Sequence, residues 1–253
     1  MSRTSDDYRR FVCVVAGDNP DRIIAKYDSK LKVEPYVLYW KKDARALRDH
    51  KLLMLSNVLK HPEGLSDLEK DSIKEDLDYY QTLSPDEYFE ELGSGMDYDD
   101  DGNILTTTNP NGKWSYHNIG NTFSMPLVLF DGTKTHQAKK GEIDWTEIHL
   151  KGQDTYRVVW DMVIGGKKPE GATEQMLYEN MHSYTDYLMK YGDKKTYVAA
   201  NTSFWGYAFC SEKTGWKELE PNMEQFPWVI NFYYNFIVPL PDDTLITIVE
   251  CMR

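Results

Sequence analysis

The feature that most constrains this chain is a pair of apolar runs at its two ends, "FVCVVA" at 11–16 and "TLITIVECM" at 244–252. Both are short and rich in β-branched residues, and the first breaks at "GDNP", so each predicts a strand. The N–H and C=O groups of a buried strand must find partners. Two terminal strands enclosing several helical patterns therefore predict that the last strand joins the first in one sheet. No regular βα period for a barrel and no internal repeat is present. A chain of 253 residues with 41% apolar side chains can bury a substantial core. The expected fold class is α+β or mixed α/β: a single compact domain over 1–253, with a central sheet including both termini and an acidic helical region.

That helical region is predicted over 43–92, as an insertion or layer. "DARALRDHKLLMLSNVLK" places Leu47, Met54, Leu55, Val58 and Leu59 near one stripe. Ser66 and Glu69 form a capping box that opens "DLEKDSIKEDLDYYQTL". "SPDEYFEELG" has Ser84 at the cap, Pro85 in the first turn, Glu87 at the reciprocal position and Gly93 as the stop. Farther on, "NILTTT", "FSMPLVLF" and "TKTHQA" read as strands with Asp-Gly turns at 101–102 and 131–132. Asp144 and Glu147 start a helical turn, and 153–165 is amphipathic through Val158, Val159, Met162 and Val163. One or two helices are expected over 172–192, strands with a hairpin at "SEKTG" over 194–219, and an aromatic helix over 224–237.

Charge is concentrated. Of a net −12, the segment 61–108 contributes −13 through 15 acidic residues and 2 lysines. Dense negative charge disfavours this segment as a nucleic-acid surface, because duplexes are bound by Lys and Arg. It suits a basic protein partner, competition with DNA for such a partner, or simple solubility. Asp76, Asp78, Glu90 and Glu91 are the acidic residues expected to meet the partner. The N-terminus has no long apolar stretch and no 18-residue apolar run occurs anywhere, so a cytoplasmic protein that does not enter the membrane is expected. Cys13, Cys210 and Cys251 share no CxxC spacing and read as buried free thiols.

Two polar segments invite a chemical reading. In "DYDDDGNILTTT", Asp97, Asp99 and Asp101 occupy the first, third and fifth places of a calcium loop, but the twelfth holds Thr108 instead of glutamate. An acidic hairpin turn and a Ca²⁺ site are the alternatives, and no other cofactor is expected. The adjacent "TNPNGKWSYHNIG" sets successive turns through Asn109-Pro110 and Asn111-Gly112. Such a loop presents Lys113, Tyr116 and His117 to an anion, while Trp114 either packs beneath it or stacks on a planar ligand.

The order of Gly17–Asn19, Leu31–Tyr36, Asn109–Trp114, Ile119-Gly120, Gly141–Trp145 and the C-terminal "DDTLITIVEC" resembles a family of phage and prophage proteins marked by a strand-GDN segment and an NPNxKW loop. The resemblance implies a phage-associated accessory role and carries no enzymatic reaction with it. Where many such proteins continue with glycine-arginine-tryptophan, this chain has Asn121-Thr122-Phe123.

Catalytic candidates are His117, His149 and Glu147, with Asp144 as a further carboxylate if the fold brings it near. "NTSFWGYAFC" spells no nucleophile elbow. The leading expectation is an accessory protein that binds a host macromolecule with a basic surface, in an anti-defence or DNA-mimic role. The alternatives are a small-molecule hydrolase or transferase built around His117, and a structural homo-oligomer, at its simplest a homodimer.

Overall fold

A computed structural model describes residues 10–120, 126–150, 153–166, 171, 175, 184–220 and 223–253. In chain order the elements are β1 (Arg10–Ala16), α1 (Pro20–Ala25), β2 (Lys32–Tyr39), α2 (Ala44–Lys60), α3 (Asp67–Thr82), α4 (Pro85–Leu92), β3 (Ile104–Thr108), β4 (Tyr116–Ile119), β5 (Leu127–Val128), β6 (Lys134–Thr135) and β7 (Gln137–Lys139). They continue with α5 (Trp145–Leu150), α6 (Gln153–Gly165), α7 (Tyr184–Tyr191), α8 (Lys194–Thr202), β8 (Ala208–Ser211), β9 (Gly215–Glu218), α9 (Gln225–Phe232) and β10 (Leu245–Met252). Two compact units result: one from the stretches up to Leu31 and from Pro110 onward, the other from Lys32–Asn109.

The first unit is mixed α/β and built on a sheet of order β4-β10-β1-β8-β9, with β7 also pairing β10. As the terminal runs predict, β1 and β10 are antiparallel neighbours, from Arg10 opposite Met252 to Ala16 opposite Ile246. On its other edge β1 runs parallel to β8, with Cys13 opposite Ala208. Cys13 to Ala16 are all buried. An unbroken apolar run, rather than an alternating one, belongs to a strand covered on both faces. Val14, Ala16, Ile246, Ile248 and Phe209 face one core with Phe204, Phe232 and Ile237. Cys13, Val15, Cys210, Val249 and Cys251 face the other with Ile23, Ile24 and Trp114.

The aromatic segment 224–237 is helical despite its β-prone composition, because Trp228, Phe232 and Phe236 at four-residue spacing form one packed row. Ring centroids lie 5.7 Å apart for Trp228–Phe232 and 5.2 Å for Phe232–Phe236, and Phe236 stacks on Phe209 of β8 at 4.8 Å. After Phe232 the helix widens to a π turn over Tyr233–Ile237.

Residues 194–202, expected as a strand, are the helix α8. Asp193 caps it, its Oδ1 accepting from Thr196 N at 2.8 Å. Tyr197 and Val198 pack with Val159 and Trp160 of α6, and Thr202 Oγ1 donates to the Val198 carbonyl at 2.9 Å. Tertiary packing overrides the β propensity of the segment. On α6, Val159, Trp160 and Met162 are buried, whereas Val158 is exposed. Of the strand expected across "FSMPLVLF", 123–125 lie outside the described residues and the remainder is strand only at β5. Much of the helical expectation over 172–192 lies outside them as well.

The second unit packs α2 against α3 and α4 beside the antiparallel pair β2-β3. Its buried centre is small: Ala44, Phe89 and Ile104, with Tyr39, Leu47 and Leu92 against them. Both predicted capping boxes form, at Ser66/Glu69 and Ser84/Glu87. The stripe read on α2 is partly misplaced, however: Leu47 is half-buried, but Met54 and Val58 are exposed, as is Leu53.

Gly206, just before β8, is held by close backbone approach. A Cβ there would lie 2.9 Å from Val14 Cγ2, 3.0 Å from the Ala208 carbonyl and 3.2 Å from the Val12 carbonyl. Gly206→Ala is expected to destabilise the chain by about 1–3 kcal/mol through overpacking, read as a lower urea midpoint with an unchanged slope.

Candidate functional site

Trp114 organises the asparagine-tryptophan loop. Its backbone meets the chain after α1: Lys113 N donates to the Tyr27 carbonyl at 2.7 Å and Ser29 N to the Trp114 carbonyl at 2.7 Å. The indole is buried and donates through Nε1 to the Ile24 carbonyl at 3.3 Å. A side chain sealed in this way serves as an anchor and offers no open face for a ligand. Asn109 is buried and Asn111 exposed, while Tyr116 points out on β4, 55% exposed. Lys113 Nζ reaches Glu218 Oε1 at 3.1 Å, and Arg253 Nη2 bonds the second oxygen of the same carboxylate.

His117, on β4 opposite Cys251, leans edge-on against Trp114 with centroids 4.6 Å apart. Its Nε2 lies 2.9 Å from Asp21 Oδ1, and 26% of the side chain is exposed. The carboxylate comes from α1, 96 residues away in sequence, so no spacing rule could have pointed to it.

The partners considered for His117 in the sequence, Asp144, Glu147 and His149, are elsewhere. Trp145 and Ile148 of α5 belong to the core on the opposite side of the sheet, and His149 packs there against Tyr233 at 4.4 Å. Asp144 is occupied in starting α5, its Oδ1 accepting from Glu147 N at 2.9 Å. A His117–Glu147–His149 constellation is therefore excluded, because the sheet separates its members.

His149 Nε2 is buried without a hydrogen-bond partner among the described residues. Burial pushes its pKa below the ordinary 6.5. The three thiols cluster on the Trp114 side of the sheet, and burial raises each of them, Cys210 and Cys251 to about 12. Thiols held neutral and sealed from solvent are not nucleophiles at neutral pH.

The aspartate turn is used internally. Asp99 Oδ1 accepts from the backbone N–H groups of Asp101 at 3.0 Å and Asn103 at 2.8 Å, and Asp99 Oδ2 accepts from Asn103 Nδ2 at 2.9 Å. Bonds from the Asn103 side chain and backbone hold this carboxyl below its usual range. Among the described residues no group of three His, Cys, Asp or Glu side chains could hold a metal ion, Asp97, Asp99 and Asp101 included. The described geometry is that of the acidic hairpin turn, with the Asp99 carboxylate closing it.

On the acidic helices, Asp76 and Asp78 of α3 and Glu90 of α4 are exposed, and Glu91 is half-buried. Tyr79 hydroxyl donates to Glu91 Oε2 at 2.7 Å, tying α3 to α4. Burial raises the Tyr80 hydroxyl, and the charges of Glu91 and Asp76 raise it further, so both carboxylates act on one ring. Within 61–108 the ion pairs among the described residues are Lys70–Asp67 and Lys74–Asp71, both exposed. Asp76, Asp78 and Glu90 are in none. Glu90 and Asp86 share a 360 Å³ pocket with Lys41, Phe89, Tyr98 and Gly102.

Three of the segments singled out in the sequence, at Gly17, Gly120 and Gly141, meet β10 and the turn before it. Gly17 N donates to the Leu245 carbonyl at 2.9 Å, Gly120 N to that of Ile248 at 2.8 Å, and Gly141 N to that of Asp242 at 2.8 Å. Asn121-Thr122-Phe123 lie outside the described residues. No protein-family model, curated protein or solved structure matches the chain. No helix among the described residues is long and apolar enough to cross a membrane.

His149 makes stability depend on pH. Its folded pKa is depressed, so on acidification the unfolded chain takes up the proton first; its contribution is whole above the unfolded value and is lost as pH falls below it. Melting temperature is expected to fall between about pH 7.5 and about pH 5.5, and His149→Phe should flatten that part of the profile.

Proposed function

We propose that this chain is a binding protein, an accessory of the phage-associated kind its sequence resembles, and that the α3–α4 face recognises a basic surface on a host protein. The observation that carries this reading is the set of exposed carboxylates at Asp76, Asp78 and Glu90 with no cationic partner among the described residues. Charges neutralised within the chain would offer little to a partner, whereas unpaired ones steer encounter and select against acidic surfaces. Tyr79 is 50% exposed beside them and held by Glu91, which supplies a rigid aromatic contact of the type that anchors interfaces. A surface of this charge also suits displacement of DNA from a basic protein, the concrete form of an anti-defence or DNA-mimic role.

A second reading rests on the His117–Asp21 pair. A partly exposed imidazole fixed by a carboxylate is the geometry of a general base. It favours a hydrolase or transferase only if a substrate reaches Nε2, the nitrogen that Asp21 already engages.

The binding reading predicts that tagged protein retains a host partner at low salt and releases it as salt rises. The triple variant Asp76→Lys, Asp78→Lys, Glu90→Lys is expected to lose at least about tenfold in affinity at low salt, since three charge contacts turn from attractive to repulsive. Retention unchanged in that variant would reject the acidic face. A partner that proves to be a second copy of the chain, seen as a doubled mass in sedimentation, would replace host binding by self-assembly.

A further inference from the structure

We propose that a second site, in the other unit, binds the carboxylate group of a small ligand: the 420 Å³ pocket lined by Ser29, Gly112, Lys113, Trp114, Glu218 and Arg253. It is independent of the acidic face. In a chain of net charge −12, two cationic side chains and one carboxylate side chain meet here, a side-chain balance of one positive unit.

The cations are held in place by the fold. Lys113 is fixed through its backbone to Tyr27, and Arg253 Nε donates to the Lys113 carbonyl at 3.3 Å. The guanidinium also lies over the rings of Phe11 and Tyr207, at 5.2 and 5.3 Å from their centroids. Glu218 accepts three hydrogen bonds within the chain. It takes Lys113 Nζ on Oε1, and on Oε2 both Arg253 Nη2 and the Trp216 indole N–H at 3.0 Å. Its side chain is only 18% exposed, against 36% for Lys113 and 39% for Arg253.

What remains accessible is therefore an excess of donors. The Lys113 ammonium has three N–H groups and uses one on Glu218, and Arg253 Nη1 makes no hydrogen bond among the described residues. Donors without acceptors in a pocket call for an anion. The charge of that anion follows from Glu218: a monoanion neutralises the local positive unit, whereas a phosphate dianion would bring a second negative charge against a carboxylate that cannot move away. A carboxylate matches the available charge and accepts charge-assisted bonds from both kinds of donor. Trp114 also lines the pocket, and its buried indole serves there as a reporter of occupancy rather than as a contact surface.

The test is a ¹H–¹⁵N NMR titration of the full chain with sodium benzoate, benzamide and inorganic phosphate. Benzoate is expected to shift the amides of Gly112 and Lys113 and the Trp114 indole N–H saturably at millimolar concentration, and neutral benzamide to leave them in place. Lys113→Gln should weaken benzoate about tenfold, the loss of one charge-assisted hydrogen bond. Glu218→Gln should keep benzoate and gain phosphate binding, because the rejecting charge is gone. Absence of saturable benzoate shifts in the wild type, or affinity unchanged in a folded Lys113→Gln, would reduce the three charges to a structural tie. Phosphate binding the wild type as tightly as benzoate would overturn the assigned selectivity. Because Lys113 is partly exposed on a loop, its variant remains informative even if Glu218→Gln fails to fold.

Discussion

The pairing of β1 with β10 is the constraint on which the larger unit depends. Seven residues at one end of the chain align with seven at the other, so closing this contact requires almost the whole length to be looped out first. The entropy of that closure grows only slowly with length, and it is offset by burying a strand on both faces. Once the pair exists, each face needs a cover. The aromatic helix α9 and its π turn supply one, and α1 with Trp114 supplies the other.

The same sheet decides what chemistry the chain can support. By keeping α5 on the face opposite the His117 side chain it holds His149 and Glu147 away from it, and by sealing the thiols it removes the strongest nucleophiles. Polar side chains then meet where loops converge beside strand ends, on the Trp114 side. There Asp21 reaches His117, while Lys113 and Arg253 share Glu218. The acidic helices are a separate matter. Their packed centre is small, and their surface carries both charge and exposed apolar groups such as Leu53, Met54 and Leu68.

Legibility in the sequence followed the range of the interaction. Ser84, Pro85, Glu87 and Gly93 act within a few residues of one another, and that helix forms as read. So do the box at Ser66 and Glu69 and the turn of Asp99. Residues 194–202 were misread because valine, threonine and tyrosine have the composition of a strand, and only contact with α6 makes them helical. Met54 and Val58 were misassigned for a related reason: periodicity gives the angle between residues on a helix, and neighbouring helices choose which angle faces in.

By itself the sequence determined the terminal strands, the helix starts, the concentration of negative charge in 61–108 and the aspartate hairpin, because each depends on local bonding or on composition. Only the tertiary structure decided that Asp21 faces His117, that Trp114 is an anchor, and that Lys113, Glu218 and Arg253 close one pocket. Four of those contacts join residues from 90 to 140 positions apart; the fifth, Arg253 to Glu218, spans 35. They are set by strand register and by the two-sided burial of a sheet, which no short window of residues contains.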